Sequence, residues 1–180
     1  MPNPTLTVLG VDPGGRSTGL CLIDGRDVIA HRTVENAAEK MLPIAQPYIA
    51  DVLNAIAEMY PSPNDSQMHY SLPVLAVEDV VRPSWHMKGR AAVDPSALLA
   101  TAAVLGAVLA FDPHAHPVQV RPSRNGSRPL GEYPATLVSA AERRGDGWQH
   151  RIGSGQLRHA RSAYDVALAG AAQHLNGAIK

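Results

Sequence analysis

Apolar positions fall into short unbroken runs near the start of this chain and into helical spacing farther along. Residues 5–11, 19–23 and 28–33 are runs of strand length, separated by a Gly-rich turn and by Asp24-Gly25; they predict a three-stranded antiparallel meander. Within residues 35–60, Met41, Leu42, Ile44, Ala45, Ile49, Val52, Leu53, Ile56 and Ala57 recur on one helical face. Pro43 and Pro47 place the regular part of that helix after Gln46. A short apolar run at 72–77 ends in Glu78-Asp79 and reads as a buried strand, reached by a crossover and therefore parallel to the first. Residues 61–71 and 80–94 read as loops. Pro95-Ser96 opens an alanine-rich helix running to Phe111, and 117–120 form a short fifth strand. Residues 121–133 read as a flexible segment of Arg, Gly and Ser, 134–144 as a short helix, 145–155 as a Gly-rich loop and 159–175 as a final amphipathic helix. The order predicts an α/β protein with a mixed sheet covered by helices.

Composition keeps this picture within ordinary bounds. At 180 residues, 45% hydrophobic and 18% charged, residues 1–180 are expected to form a single domain with a real core. The longest apolar run, 97–111, is interrupted by Thr101 and Gly106 and is shorter than a membrane span, so no membrane association is expected. No basic segment followed by an apolar stretch opens the chain, and a lone Cys21 cannot form an internal disulfide; both fit a cytoplasmic protein.

Charge changes the picture more. The formal net charge is zero, yet Arg121, Arg124, Arg128, Arg143, Arg144, Arg151, Arg158 and Arg161 crowd residues 121–161 against only Glu132, Glu142 and Asp146. Arginine without lysine suits phosphate contact through a planar fork. A solvated Arg-rich surface explains the same composition, and both readings stay open.

The stretch Gly10-Val11-Asp12-Pro13-Gly14-Gly15-Arg16-Ser17 fits a phosphate loop with Arg16 in place of the lysine. A phosphate loop must open a helix, however, and this chain continues as a hairpin. Two readings remain: a metal-binding aspartate at a strand end, or a tight Asp-Pro-Gly-Gly turn with no chemistry.

Two later carboxylates bear on that choice. Asp12 and Glu78 each end a hydrophobic strand, and parallel pairing would bring them to the carboxyl edge of the sheet, where open α/β sheets place their sites. Asp165 lies on the last helix, with Ser162 one turn before it and His159 a further turn back on nearly the same stripe. Clustered carboxylates repel unless a cation joins them. Hard oxygen donors without sulfur suit Mg²⁺ or Mn²⁺. Two such ions about 4 Å apart can activate water and stabilise the leaving oxygen of a phosphodiester.

Val11-Asp12-Pro13-Gly14 through Ser17-Thr18-Gly19, Val77-Glu78, and Ala163-Tyr164-Asp165-Val166-Ala167-Leu168-Ala169 together resemble the RuvC family of Holliday junction resolvases. The resemblance covers nearly the whole chain in element order, and the D-P-G-x-x-x-T-G turn is its most specific piece. It implies a ribonuclease H-like fold: a five-stranded mixed sheet, with strands 1–3 antiparallel and strands 4 and 5 parallel, flanked by helices on both faces. It also implies an endodeoxyribonuclease that resolves four-way junctions or other branched DNA. Asp12, Glu78 and Asp165 would be the catalytic, metal-binding carboxylates, holding two Mg²⁺ ions for which Mn²⁺ can substitute. A homodimer would match the two-fold junction. The setting would be a bacterial cytoplasm or a phage-infected host, and the small size and altered ligands fit a phage version.

The chain departs from the family at two places. Ser162 stands where the family has an aspartate or histidine ligand; His159 from the next turn, or a water held by Ser162, would have to serve instead. Val81 replaces an aromatic that wedges between bases, so Trp85 is the candidate for stacking, with Arg82, Lys88 and Arg90 on phosphates. Trp85 as a cover over the core is the competing reading. Arg121, Arg124 and Arg128 fall where the family carries basic phosphate-binding residues, and Arg16 is a further candidate DNA contact. The apolar helix at 97–111 fits burial against a second subunit, or burial within the protein itself.

Two other functions compete. A branched-DNA-binding protein with a weakened metal site would explain Ser162. An actin-like nucleotide phosphatase shares the Asp-Gly turn, but it needs a second phosphate turn and a second lobe, for which 180 residues leave no room.

Overall fold

A computed structural model describes residues 6–60, 74–81, 95–111 and 117–177. Its centre is a five-stranded sheet of β1 (Thr7–Asp12), β2 (Ser17–Asp24), β3 (Asp27–Glu35), β4 (Val74–Glu78) and β5 (Val118–Val120), in the order β3-β2-β1-β4-β5. β1 pairs antiparallel with β2, β2 antiparallel with β3, β1 parallel with β4, and β4 parallel with β5. The predicted mixed sheet is thus present, with β1 at its middle.

Because strand side chains alternate between faces, each strand feeds two cores. Val8, Cys21, Ile23, Ala76 and Val120 point to one face, under Ala160, Ala163, Val166 and Ala167 of α3 (Leu157–Gly177). Leu9, Val11, Leu20, Leu75 and Val77 point to the other, where α1 (Gln46–Met59) brings Tyr48, Val52 and Ile56, and α2 (Pro95–Leu109) brings Val104 and Val108. Helices therefore cover both faces. Burial pushes the Cys21 thiol up to about 12, as suits an unreactive core residue. Among the described residues no helix is long and apolar enough to cross a membrane.

Two glycines set the height of α3 above the sheet. A Cβ on Gly10 of β1 would lie 2.0 Å from the Ala163 carbonyl oxygen, and one on Gly19 of β2 would lie 2.1 Å from that of His159. Any side chain at either position would lift the helix, and with it His159 and Asp165, away from the strand ends.

Two expectations fail in residues 121–156. The helix expected at 134–144 is reduced to a 3₁₀ turn at Ala135–Leu137, within an irregular lobe that has similar turns at Leu130–Glu132 and Trp148–His150. Arg161 of α3 is fully buried under this lobe; its guanidinium donates to the carbonyls of Leu137 at 2.9 Å and Ser154 at 3.3 Å and pairs with Glu142 at 3.0 Å. Carbonyls bound this way hold the lobe without a regular helix. The segment 121–133 is likewise tied down by its own side chains to Glu78 and Asp165.

α2 buries Ala100, Val104, Leu105 and Val108, while Leu99, Ala102, Ala103, Gly106 and Ala110 face outward. Its outer side is apolar and, among the described residues, uncovered within one chain.

Candidate metal centre

Asp12 is the last residue of β1 and Glu78 the last of β4, and the register that pairs Val11 with Val77 sets them side by side. The Glu78 carboxyl lies beside Asp12 and receives the Asn125 side-chain N–H on Oε1 at 2.7 Å. Burial first, then the hydrogen bond and charge of Asp12, push Glu78 up to about 8. Two adjoining, partly buried carboxylates cannot both be charged at low cost, which favours the protonated form of Glu78. His159, on the first turn of α3, places Nδ1 3.1 Å from Asp12 Oδ2.

Asp165 is held separately. Its side chain is 9% exposed. Oδ2 accepts the Gly126 backbone N–H and the Tyr133 hydroxyl, each at 2.8 Å. Oδ1 accepts Arg128 Nε at 2.9 Å and also Arg128 Nη2. The guanidinium lies 4.6 Å over the Tyr133 ring, whose hydroxyl accepts the Arg128 backbone N–H at 3.2 Å. Burial and the neighbouring Asp165 push that phenol up to about 12, so it remains a donor.

Ser162 is buried beneath the loop that makes these contacts. Gly126 adopts φ +74°, and a Cβ there would come within 3.2 Å of Ser162 and 3.1 Å of the Arg158 carbonyl. A small residue at 162 allows the loop to seat on α3 and reach Asp165.

Among the described residues no group of three or more His, Cys, Asp and Glu side chains is arranged to hold a metal ion. The donor chemistry divides the three carboxylates. Asp12 and Glu78 fit a hard divalent cation: two carboxylates stand side by side, and the cost of charging both, which pushes Glu78 up, is one that a cation would relieve. Asp165 does not fit as it stands, because four donors occupy its two oxygens.

The remaining candidates are scattered. The Arg16 fork is engaged with the carbonyls of Ala38 at 2.5 Å and Glu39 at 2.8 Å, closing the chain after β3. Gly15 has no spare space beside it, since a Cβ there would lie 2.5 Å from Ala100 of α2. Tyr48 of α1 donates to the Gly14 carbonyl at 2.6 Å, so the turn after Asp12 is fastened from below. Arg121 and Arg124 are exposed, and Val81 is 53% exposed. Arg82, Trp85, Lys88 and Arg90 lie outside the described residues. Within the arginine cluster, Arg161 is buried, Arg143 donates to the carbonyl of Val138, and Arg151 donates to those of Glu142 and Arg144. Asn125, Gly126 and Tyr133 belong to the site although sequence reasoning did not single them out. The Asn-Gly pair signals a tight turn but not where that turn docks.

The sheet order, the helices on both faces and the strand-end carboxylates define an α/β protein with a RuvC-like, ribonuclease H-like fold. Two solved structures of RuvC from Thermus thermophilus are similar along nearly the entire chain. One, in complex with a Holliday junction substrate, has a TM-score of 0.55 at 18% identity and covers 96% of each chain. The other has a TM-score of 0.53 at 18% identity and covers 96% of this chain and 97% of its own. No protein-family model matches the sequence, and no curated protein matches it.

Proposed function

We propose that this protein is a divalent-metal-dependent endonuclease that hydrolyses phosphodiesters in branched DNA, four-way junctions foremost. The observation that carries this reading is the Asp12–Glu78 pair, two carboxylates set side by side at the carboxyl ends of adjacent parallel strands. The fold likeness adds the substrate class, since one neighbour is a RuvC holding a Holliday junction. Mg²⁺, or Mn²⁺ in its place, would supply charge neutralisation and a more acidic water at the reacting phosphate.

The chain's own groups have separable tasks in this reading. Asp12 and Glu78 would hold the ion, and Asn125 fixes the Glu78 carboxyl by donating to Oε1. His159, with Nδ1 against Asp12 Oδ2, fixes the orientation of that carboxylate. Arg121 and Arg124, exposed on the segment that carries Asn125 and Arg128, contact phosphates of the arms, and Trp85, Arg82, Lys88 and Arg90 act on the same DNA. Residues 1–180 work as one nuclease domain in a bacterial or phage-infected cytoplasm. Two chains pair through the outer side of α2 to match the two-fold junction.

The test is cleavage of an end-labelled four-way junction beside a linear duplex of the same sequence. Symmetric cuts in Mg²⁺, none in EDTA, and a loss of about 100-fold or more in Asp12→Asn are expected. The engagement of Asp165 by Arg128 favours a second reading, a junction-binding protein without nuclease activity. Tight binding with no cutting in Mg²⁺ or Mn²⁺ would establish that reading instead.

A further inference from the structure

We propose that the site takes one divalent ion, held by Asp12 and Glu78, and that the guanidinium of Arg128 is the built-in positive partner of Asp165 in place of a second ion. The inference rests on the metal-site reading of Asp12 and Glu78 and goes beyond it in assigning a count and an excluding group.

A carboxylate has about four lone-pair positions. Those of Asp165 receive Gly126 N–H, Tyr133 O–H, Arg128 Nε and Arg128 Nη2. An ion reaching this carboxylate would have to displace one of these donors and then sit beside a guanidinium, cation against cation.

Arg128 is not a casual surface pair that would yield easily. Its guanidinium lies over Tyr133 at 4.6 Å and within 5.8 Å of the Tyr164 ring centre. Its backbone N–H is bound by the same Tyr133 hydroxyl that binds Asp165. Nη1 is 3.8 Å from Glu132. On the far side, Gly126 is packed against Ser162 and Arg158 in a left-handed conformation, which keeps its N–H aimed at Asp165. Backbone, ring and fork are thus locked together around one carboxylate.

Charge arithmetic gives the same count. Arg128 offsets the single charge of Asp165. One divalent ion then offsets Asp12 and Glu78, and the three carboxylates are neutral without a second ion. The Arg128 side chain is 36% exposed, so the guanidinium retains an open edge that a substrate phosphate can approach while Nε and Nη2 remain on Asp165.

Mn²⁺ titration of the full-length protein, with free Mn²⁺ read by electron paramagnetic resonance and folding checked by circular dichroism, tests this without any cleavage assay. Wild type is expected to bind one Mn²⁺ per chain. Asp12→Asn should weaken that binding at least 30-fold, an order-of-magnitude expectation for losing one of two charged ligands. Arg128→Gln should bind two. Two ions on the wild type would overturn the proposal alone and leave the nuclease reading intact. One ion on folded Arg128→Gln would overturn Arg128 as the excluding charge. No binding by wild type would remove both this proposal and the metal-dependent reading beneath it.

Discussion

Arg128 and Asp165 meet through Nε and Oδ1 at 2.9 Å, although 37 residues separate them in sequence. The carboxylate is nearly buried and the guanidinium is not, so the two ends of the pair differ in what their loss would do. Removing Arg128 leaves a desolvated charge with only neutral donors. Arg128→Gln is therefore expected to lower stability by about 1–3 kcal/mol, less than for a fully buried pair because water reaches the arginine. Arg128→Lys should recover only part, since a point charge cannot reproduce the fork. Tyr133→Phe, which removes one neutral donor from Oδ2, should cost about 1 kcal/mol. Urea unfolding of the three variants checks the order; equal midpoints for wild type and Arg128→Gln would show that the pair contributes nothing.

This pair also shows where sequence reasoning reached its limit. Asp12, Glu78 and Asp165 were legible because each interrupts or ends an apolar pattern, and an apolar pattern is local. Their partners were not. Asn125 binds a carboxylate 47 residues earlier and Gly126 one 39 residues later, and no periodicity relates such positions. A run of Arg, Gly and Ser such as 121–133 reads as flexible when its partners are invisible. Arg161 reads as one of a surface cluster, yet Glu142 and two carbonyls hold its guanidinium in a buried setting. At 139–142 a helix-start signal is present in the reciprocal Ser139 and Glu142 bonds, but Gly145 and Gly147 turn the chain away in left-handed conformations.

The sheet, by contrast, was readable almost strand by strand, and its least tolerant points are two glycines. Gly10→Ala places a methyl 2.0 Å from a carbonyl oxygen of α3, a contact that only backbone movement can relieve. A loss of about 2–3 kcal/mol is expected, with α3 displaced. Gly106 is the control: it lies inside α2, faces outward, and a Cβ there meets nothing within 4 Å. Gly106→Ala should stabilise the monomer fold by up to about 1 kcal/mol through helix propensity alone. Thermal unfolding of the two variants should shift in opposite directions.

The uncovered side of α2 carries its own prediction. Leu99 is 58% exposed and stands with Ala102, Ala103, Gly106 and Ala110 on an apolar strip. If two chains pair there, the protein sediments as a dimer, and Leu99→Asp, which buries a charge in the interface, sediments as a folded monomer. A wild-type monomer at tens of micromolar would remove α2 as the interface.

The upward shift of Glu78 makes stability depend on pH in a defined direction. A glutamate in the unfolded chain titrates near 4.5, whereas burial and Asp12 raise Glu78 in the folded, metal-free protein to about 8. Between those values the folded state holds one more proton than the unfolded state. Stability must then fall as pH rises through that window and level off above it. Glu78→Gln keeps the size of the side chain and cannot titrate, so its stability should lack this component. In EDTA the variant should exceed wild type by about 1–3 kcal/mol at pH 8, after allowance for partial solvent access, and the gap should shrink toward pH 5. Mg²⁺ should act in the opposite sense on wild type, because the ion competes with the proton for the same oxygens: the stabilisation it confers grows from pH 5 to pH 8. Urea midpoints at pH 5, 6.5 and 8, with EDTA or Mg²⁺, measure both effects. A wild-type slope in EDTA equal to that of Glu78→Gln would mean that Glu78 is already ionised at neutral pH and is not raised by burial beside Asp12.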